Sequence, residues 1–188
     1  MDSFVVKDGT PPPACLTTAT VPAATGAGAI ILTANAPGCC FSYVNSKAEE
    51  QAYSSDPLYS YPYGLVEFGL TCPAPDSSAD VSITFPGGAA GMTYRKYGPT
   101  TPDDDMTTSW YTFDNITITG PNSITLHLKD GELGDDTGAD GIIVDQGGPG
   151  RPNNDPVAIP TMTEWGMMFF VLLAGLVSIY YLTRRKRI

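Results

Sequence analysis

Apolar and polar residues alternate with a period of two through the middle of the chain, and near its end the alternation gives way to an unbroken apolar run. Val81, Ile83 and Phe85 alternate with Ser82 and Thr84 until Pro86-Gly87-Gly88 breaks the pattern, which predicts a strand with one buried face. Ile116 and Ile118 alternate with Thr117 and Thr119, Gly120-Pro121-Asn122 turns the chain, and Ile124, Leu126 and Leu128 alternate with Thr125, His127 and Lys129. This is a hairpin with one apolar face, and it points His127 away from that face. Residues 65–71, 92–97, 110–113 and 142–144 supply further short strands, and 29–34, bounded by Gly28 and Pro37-Gly38, reads as a buried one. Helical character before the end is confined to 46–53, where Ser46 and Glu49 have capping-box spacing. Tyr53, Tyr59, Tyr61 and Tyr63, interleaved with Pro57 and Pro62, form a loop expected to cover the end of a sheet.

Short strands about ten residues apart, joined by Gly- and Pro-rich turns, predict a mainly β chain built as an antiparallel β-sandwich with a C-terminal single transmembrane α-helix. The expected segments are a Pro/Ala/Thr-rich lead-in over 1–28, the sandwich over 29–150, a linker over 151–164, and the helix with its basic tail over 165–188.

From Trp165 to Leu182 every residue is apolar, aromatic, Gly or Ser. At about 1.5 Å per residue such a helix comes close to the roughly 30 Å of a bilayer's hydrocarbon core. An apolar surface all round leaves no polar face for a soluble helix to turn to water. Arg184, Arg185, Lys186 and Arg187 form a stop-transfer cluster, which keeps the C-terminus cytoplasmic and puts 1–164 on the other side. Membrane lipid is thus an expected partner. Gly166, Ala174, Gly175 and Ser178 offer small contact points for self-association of the helix.

Charge sharpens this division, since 6 Lys and Arg face 20 Asp and Glu ahead of Trp165, whereas the tail carries four cations and no acid. An acidic body lacks the cationic surface that a phosphate backbone requires, so nucleic acid is not an expected partner. Cys15, Cys39, Cys40 and Cys72 make an even set in an exported chain and predict two disulfides. A bridge between the neighbours Cys39 and Cys40 would be strained, so each is expected to take Cys15 or Cys72, in an order the spacing leaves open. Met1 to Thr10 has neither a cationic start nor an apolar core, so it is no secretory signal, and the chain is expected to be the C-terminal part of a longer precursor.

Asp135, Asp136, Asp140 and Asp145, spaced by Gly138 and Gly141, gather hard oxygen ligands on a turn and make calcium a candidate cofactor, with Asp103-Asp104-Asp105 as a second cluster. The spacing departs from an EF-hand loop, and Asp also favours turns without any metal. His127 is the sole histidine, and there is neither a G-x-S-x-G elbow nor a Gly-rich phosphate loop, so the chain is not expected to be an enzyme.

Two stretches resemble known families. Ile159-Pro160-Thr161-Met162-Thr163-Glu164-Trp165-Gly166, followed by the apolar run and the Arg-rich end, resembles the IPTL-type C-terminal sorting signal of Gram-negative bacteria, with Met162 where Leu is usual. The segment from Thr93 to Gly150, through Tyr97-Gly98-Pro99 and the acidic loop, resembles the choice-of-anchor U domain of bacterial surface proteins. The resemblances imply export, holding in the inner membrane, cleavage near the box by a membrane-embedded, exosortase-related sorting enzyme, and a β domain presented at the cell surface. The resulting expectation is an envelope protein with a structural or adhesive display role. A self-assembling subunit with packed helices and a calcium-dependent binding module are the alternatives.

Overall fold

A computed structural model describes residues 15–49, 54–102, 104, 108–153 and 162–185, with helix side chains over 168–184. Its elements in chain order are β1 (Thr18–Pro22), β2 (Ala29–Asn35), β3 (Cys40–Lys47), β4 (Tyr59–Ser60), β5 (Leu65–Thr71), β6 (Ser78–Thr84), β7 (Thr93–Pro99), β8 (Thr108–Thr112), β9 (Ile116–Gly120), β10 (Ser123–Lys129), β11 (Ile142–Pro152) and α1 (Met162–Arg185). The strands form two antiparallel sheets, one ordered β1-β2-β6-β10-β9 and the other β3-β5-β11-β7-β8, with the short β4 paired to β11. Residues 1–153 form one compact unit and 154–188 a second.

In the first sheet the alternation governs packing. Ile30, Leu32, Val81, Ile83 and Leu126 are fully buried and share one core with Phe41, Val66, Phe68, Leu70 and Ile143 of the second sheet. The hairpin forms as its pattern predicts, with Leu126 opposite Ile116 and Ile124 opposite Ile118. A register shift between Ser123 and Ile124 accompanies a 74% exposed Ile118 at the sheet edge, so the apolar face is incomplete there.

Several expectations need correction. The lead-in contains a strand, because β1 pairs with β2 from Thr18 opposite Thr33 to Pro22 opposite Ala29. Ser46 belongs to β3 rather than to a helix: it lies opposite Val66, and its Oγ accepts a hydrogen bond from the Ala24 amide at 3.0 Å. Ladder pairing with β5 outweighs a local helical preference worth only tenths of a kcal/mol per residue. The last strand does not stop at Val144; β11 runs on through Gly147-Gly148-Pro149-Gly150, residues that read as a turn. Gly148 is needed there for close approach, since a Cβ would sit 2.8 Å from the Gly64 carbonyl oxygen.

The cysteines form two disulfides, Cys15–Cys40 and Cys39–Cys72, so each of the adjacent pair takes a distant partner. They fasten the start of β3 to the entering chain and to the end of β5. Chain-entropy arithmetic gives each loop of this size about 3.5 kcal/mol of stabilisation.

The helix α1 starts at Met162, three residues before the expected Trp165. Thr161 and Glu164 stand at capping-box spacing in the sequence, a start signal upstream of the apolar run. Among the described residues no helix is long and apolar enough to cross a membrane. The span expected over 165–182 is therefore seen as helix and not as a demonstrated crossing.

Candidate functional site

The acidic loop between β10 and β11 is held by its own aspartates. Asp130, fully buried, accepts hydrogen bonds from the amides of Asp76 and Gly141, both at 2.8 Å, and of Asp140 at 3.2 Å. Asp135, also fully buried, accepts from the amides of Gly131 (2.9 Å), Val144 (2.9 Å) and Thr137 (3.1 Å) and from the Thr137 hydroxyl (3.0 Å). Burial raises the Asp135 pKa, and these donors oppose the shift. Asp140 is exposed and caps the Ile142 amide at 2.8 Å. The four aspartates proposed for calcium thus do different things. Asp135 and Asp140 spend oxygens on backbone amides, Asp136 accepts from Gln146 Nε2 at 2.9 Å, and Asp145 meets a lysine. Among the described residues no group of three or more His, Cys, Asp or Glu is arranged to hold a metal ion. Asp103 and Asp105 lie outside the described residues.

Sequence reasoning missed the lysine. Lys96, on β7, is 2% exposed and forms an ion pair with Asp145 on β11, which is fully buried. Lys96 Nζ also donates to the Gly134 carbonyl at 2.7 Å and lies 4.1 Å from the centre of the Phe113 ring. Gly134 has φ +107°, and a Cβ there would meet Phe113 Cε2 at 2.6 Å, so glycine lets the loop close over the amine. Burial lowers the pKa of Lys96, with Asp145 opposing, and raises that of Asp145, with Lys96 opposing. Asp136 is pushed up to about 7, first by burial and then by the nearby charge of Asp145. Tyr94 and Tyr111, also shifted upward by burial and by Asp145, bring two more buried groups to the cluster. Among the described residues, the hydroxyls of Tyr94 and Tyr111 have no hydrogen-bond partner. Neither do the Asp145 oxygens, beyond the charge contact with Lys96. Orphaned buried polar atoms are rare in folded proteins, and two tyrosine hydroxyls without a partner beside a carboxyl held only by Lys96 mark a site.

A signal for Lys96 was present in Thr93-Tyr94-Arg95-Lys96-Tyr97. Adjacent strand residues point to opposite faces, so in a strand covered on both sides one of two neighbouring cations must face the core. Arg95 takes the other face, where its Nε donates to Asp56 Oδ2 at 3.0 Å beneath the tyrosine loop. In that loop Tyr61 also donates to Asp56 and stacks on Trp110, and the Arg95 guanidinium lies 4.6 Å from the Tyr59 ring centre. Tyr63 packs on Phe85. These three tyrosines are spent on packing, and Tyr53 lies outside the described residues.

His127 sits in a second constellation. Its Nδ1 is 2.8 Å from Asp80 Oδ1 and its Nε2 2.8 Å from Thr117 Oγ1, a hydroxyl–imidazole–carboxylate chain. The His127 and Asp80 side chains are 37% and 51% exposed on the open face of the first sheet. Water there competes for the proton and screens the charges, so the arrangement works as a surface hydrogen-bond chain. An apolar cavity of about 310 Å³ opens elsewhere, walled by Met92, Tyr94, Ile116, Ile118 and Ile124.

Of the sorting box, Ile159, Pro160 and Thr161 lie outside the described residues, while Met162, Glu164, Trp165 and Gly166 form the first turns of α1. Of the basic cluster, Arg184 is exposed at the end of α1 and Arg185 is its last residue, whereas Lys186 and Arg187 lie outside the described residues. Fold and disulfides together define a mainly β, disulfide-bonded two-sheet protein with a C-terminal helix. No family model matches the chain, and no curated protein or solved structure shows significant similarity to it.

Proposed function

We propose that this chain is an exported surface protein whose disulfide-bonded β domain is displayed outside the cytoplasmic membrane of a Gram-negative cell by α1, in a structural or adhesive role. One observation carries the reading. Every described side chain of α1 is exposed, and almost all are apolar, with Phe169, Phe170 and Tyr181 each about 70% exposed. An apolar surface of that extent needs a cover, and lipid tails supply one on every side. Ser178 and Thr183 bond back to the carbonyls of Ala174 and Ile179, at 2.8 and 2.9 Å, as hydroxyls in hydrocarbon must. The whole of α1, 24 residues, measures about 36 Å at the usual rise. Two disulfides belong to an oxidising compartment, which agrees with the body lying outside and Arg184 to Arg187 inside.

The sorting box adds recognition and cleavage by a membrane-embedded enzyme. Calcium has no role in this reading, because the loop aspartates are committed to amides and to Lys96. Fractionation of native cells with mass measurement of the recovered protein tests the proposal. Membrane association of the precursor, or a surface form lacking the residues beyond the box, is the expected result. An intact, freely soluble monomer would overturn it, and an intact tail within an ordered assembly would favour the self-assembling alternative.

A further inference from the structure

We infer that the Lys96 amine and the Asp145 carboxyl condense into an intramolecular amide that covalently joins β7 to β11. The two groups face each other inside the domain, on strands held in register by the pairing of Lys96 with Gly147, two residues from Asp145. Water is excluded on all sides, because Lys96 is 2% and Asp145 0% exposed. Phe113 and Gly134 cover the amine. The carboxyl has no donor other than the lysine among the described residues, so it is not diverted into hydrogen bonds like those of Asp130 and Asp135.

Chemistry and energetics favour the same outcome. Burial disfavours both charges, shifting the pair toward a neutral amine, which is a nucleophile, and a protonated carboxyl, which is an electrophile. Nζ attacks Cγ of Asp145, forming the C–N bond; one Cγ–Oδ bond then breaks, and that oxygen departs with two protons as water. Starting from ammonium and carboxylate, the products are one amide and one water molecule, so charge and atoms balance without an oxidant or cofactor. Asp136, whose carboxyl is raised to about 7 and lies within electrostatic range of both partners, delivers its proton to the leaving oxygen and, as carboxylate, takes one from the attacking nitrogen, which restores its carboxyl. Fixed opposition of the reactants replaces the entropy cost of a bimolecular encounter. Condensation also removes two charges from a site that solvates neither.

Mass spectrometry of the folded, purified chain tests this without any variant. After full reduction of the disulfides, the intact chain should be lighter than its sequence by one water. Trypsin should fail to cut after Lys96 and should release residues 96–129 joined to the peptide that starts at Asp130, which runs on to Arg184 because Pro152 blocks cleavage after Arg151. Lys96→Arg should restore the full mass while keeping a cation in place, and Asp136→Asn should slow the loss of water in a protein that still shows the wild-type circular dichroism. An unmodified mass in the folded wild-type chain would overturn the inference. So would a water loss mapped to a succinimide at Asp130-Gly131 or Asp140-Gly141 instead of a joined peptide. The readout does not depend on the membrane reading, so either can fail alone.

Discussion

The two sheets handle burial in opposite ways. In the first, β2 and β6 alternate buried and open positions along their length, and the outer face carries polar pairs such as Ser82 with Thr125 at 3.0 Å. In the second, β5, β7 and β11 are buried on both faces over long stretches and take Arg95, Lys96 and Asp145 inside with them. An alternating sheet is a packing device, and its stability is that of apolar area removed from water. A sheet covered on both faces has to neutralise its charges internally, and that requirement brings an amine and a carboxyl together out of reach of solvent.

Breaking the buried pair should have the largest effect. Lys96→Ala should destabilise the domain by about 3–5 kcal/mol in chemical denaturation, because Asp145 is then buried without a partner. Replacing both, Lys96→Met with Asp145→Leu, should recover most of that loss if the pair is ionic. It should recover little if the wild type carries a covalent link, and this contrast separates the two states. On the first sheet Leu126→Ala should cost about 2–5 kcal/mol by cavity formation, with no partner variant able to restore it except one that refills the space.

A pH series sharpens the same contrast. Asp136 has a folded pKa of about 7 against an ordinary 3.8, so between those values the folded state holds a proton that the unfolded chain has lost. Its contribution is complete below pH about 4 and is lost as pH rises through about 7. Melting temperatures should fall across that window in the wild type, and Asp136→Asn should flatten this component of the slope. The smallest effect belongs to the open face: His127→Ala should cost no more than about 1 kcal/mol in chemical denaturation, as expected of a solvent-exposed hydrogen-bond chain.

Apart from β1, which lay in the expected lead-in, the first sheet was legible because its periodicity is the physical cause of its burial, and so β2, β6 and the β9–β10 hairpin follow from Ile, Val and Leu positions alone. β11 was cut short because glycine and proline carry the same local signal whether they end a strand or let another backbone approach, and only the presence of Gly64 distinguishes the cases. β3 was hidden by a local helical preference that pairing with β5 overrules. The acidic loop was found from sequence, but the partners of its aspartates were not. Asp135 and Asp145 look alike as residue types, and what separates them is their neighbours: backbone amides around one, Lys96 against the other. Those neighbours come from distant parts of the chain or from turn geometry that spacing does not reveal.

If the second sheet joins its enclosed amine and carboxyl, the state of one nitrogen reveals it. Nuclear magnetic resonance of the folded domain labelled with nitrogen-15 at lysine side chains should show Lys96 Nζ as a single-proton amide nitrogen whose signal does not titrate. A Lys96 signal with the shift and exchange of an amine or ammonium, unchanged after prolonged incubation of the folded protein, would contradict it.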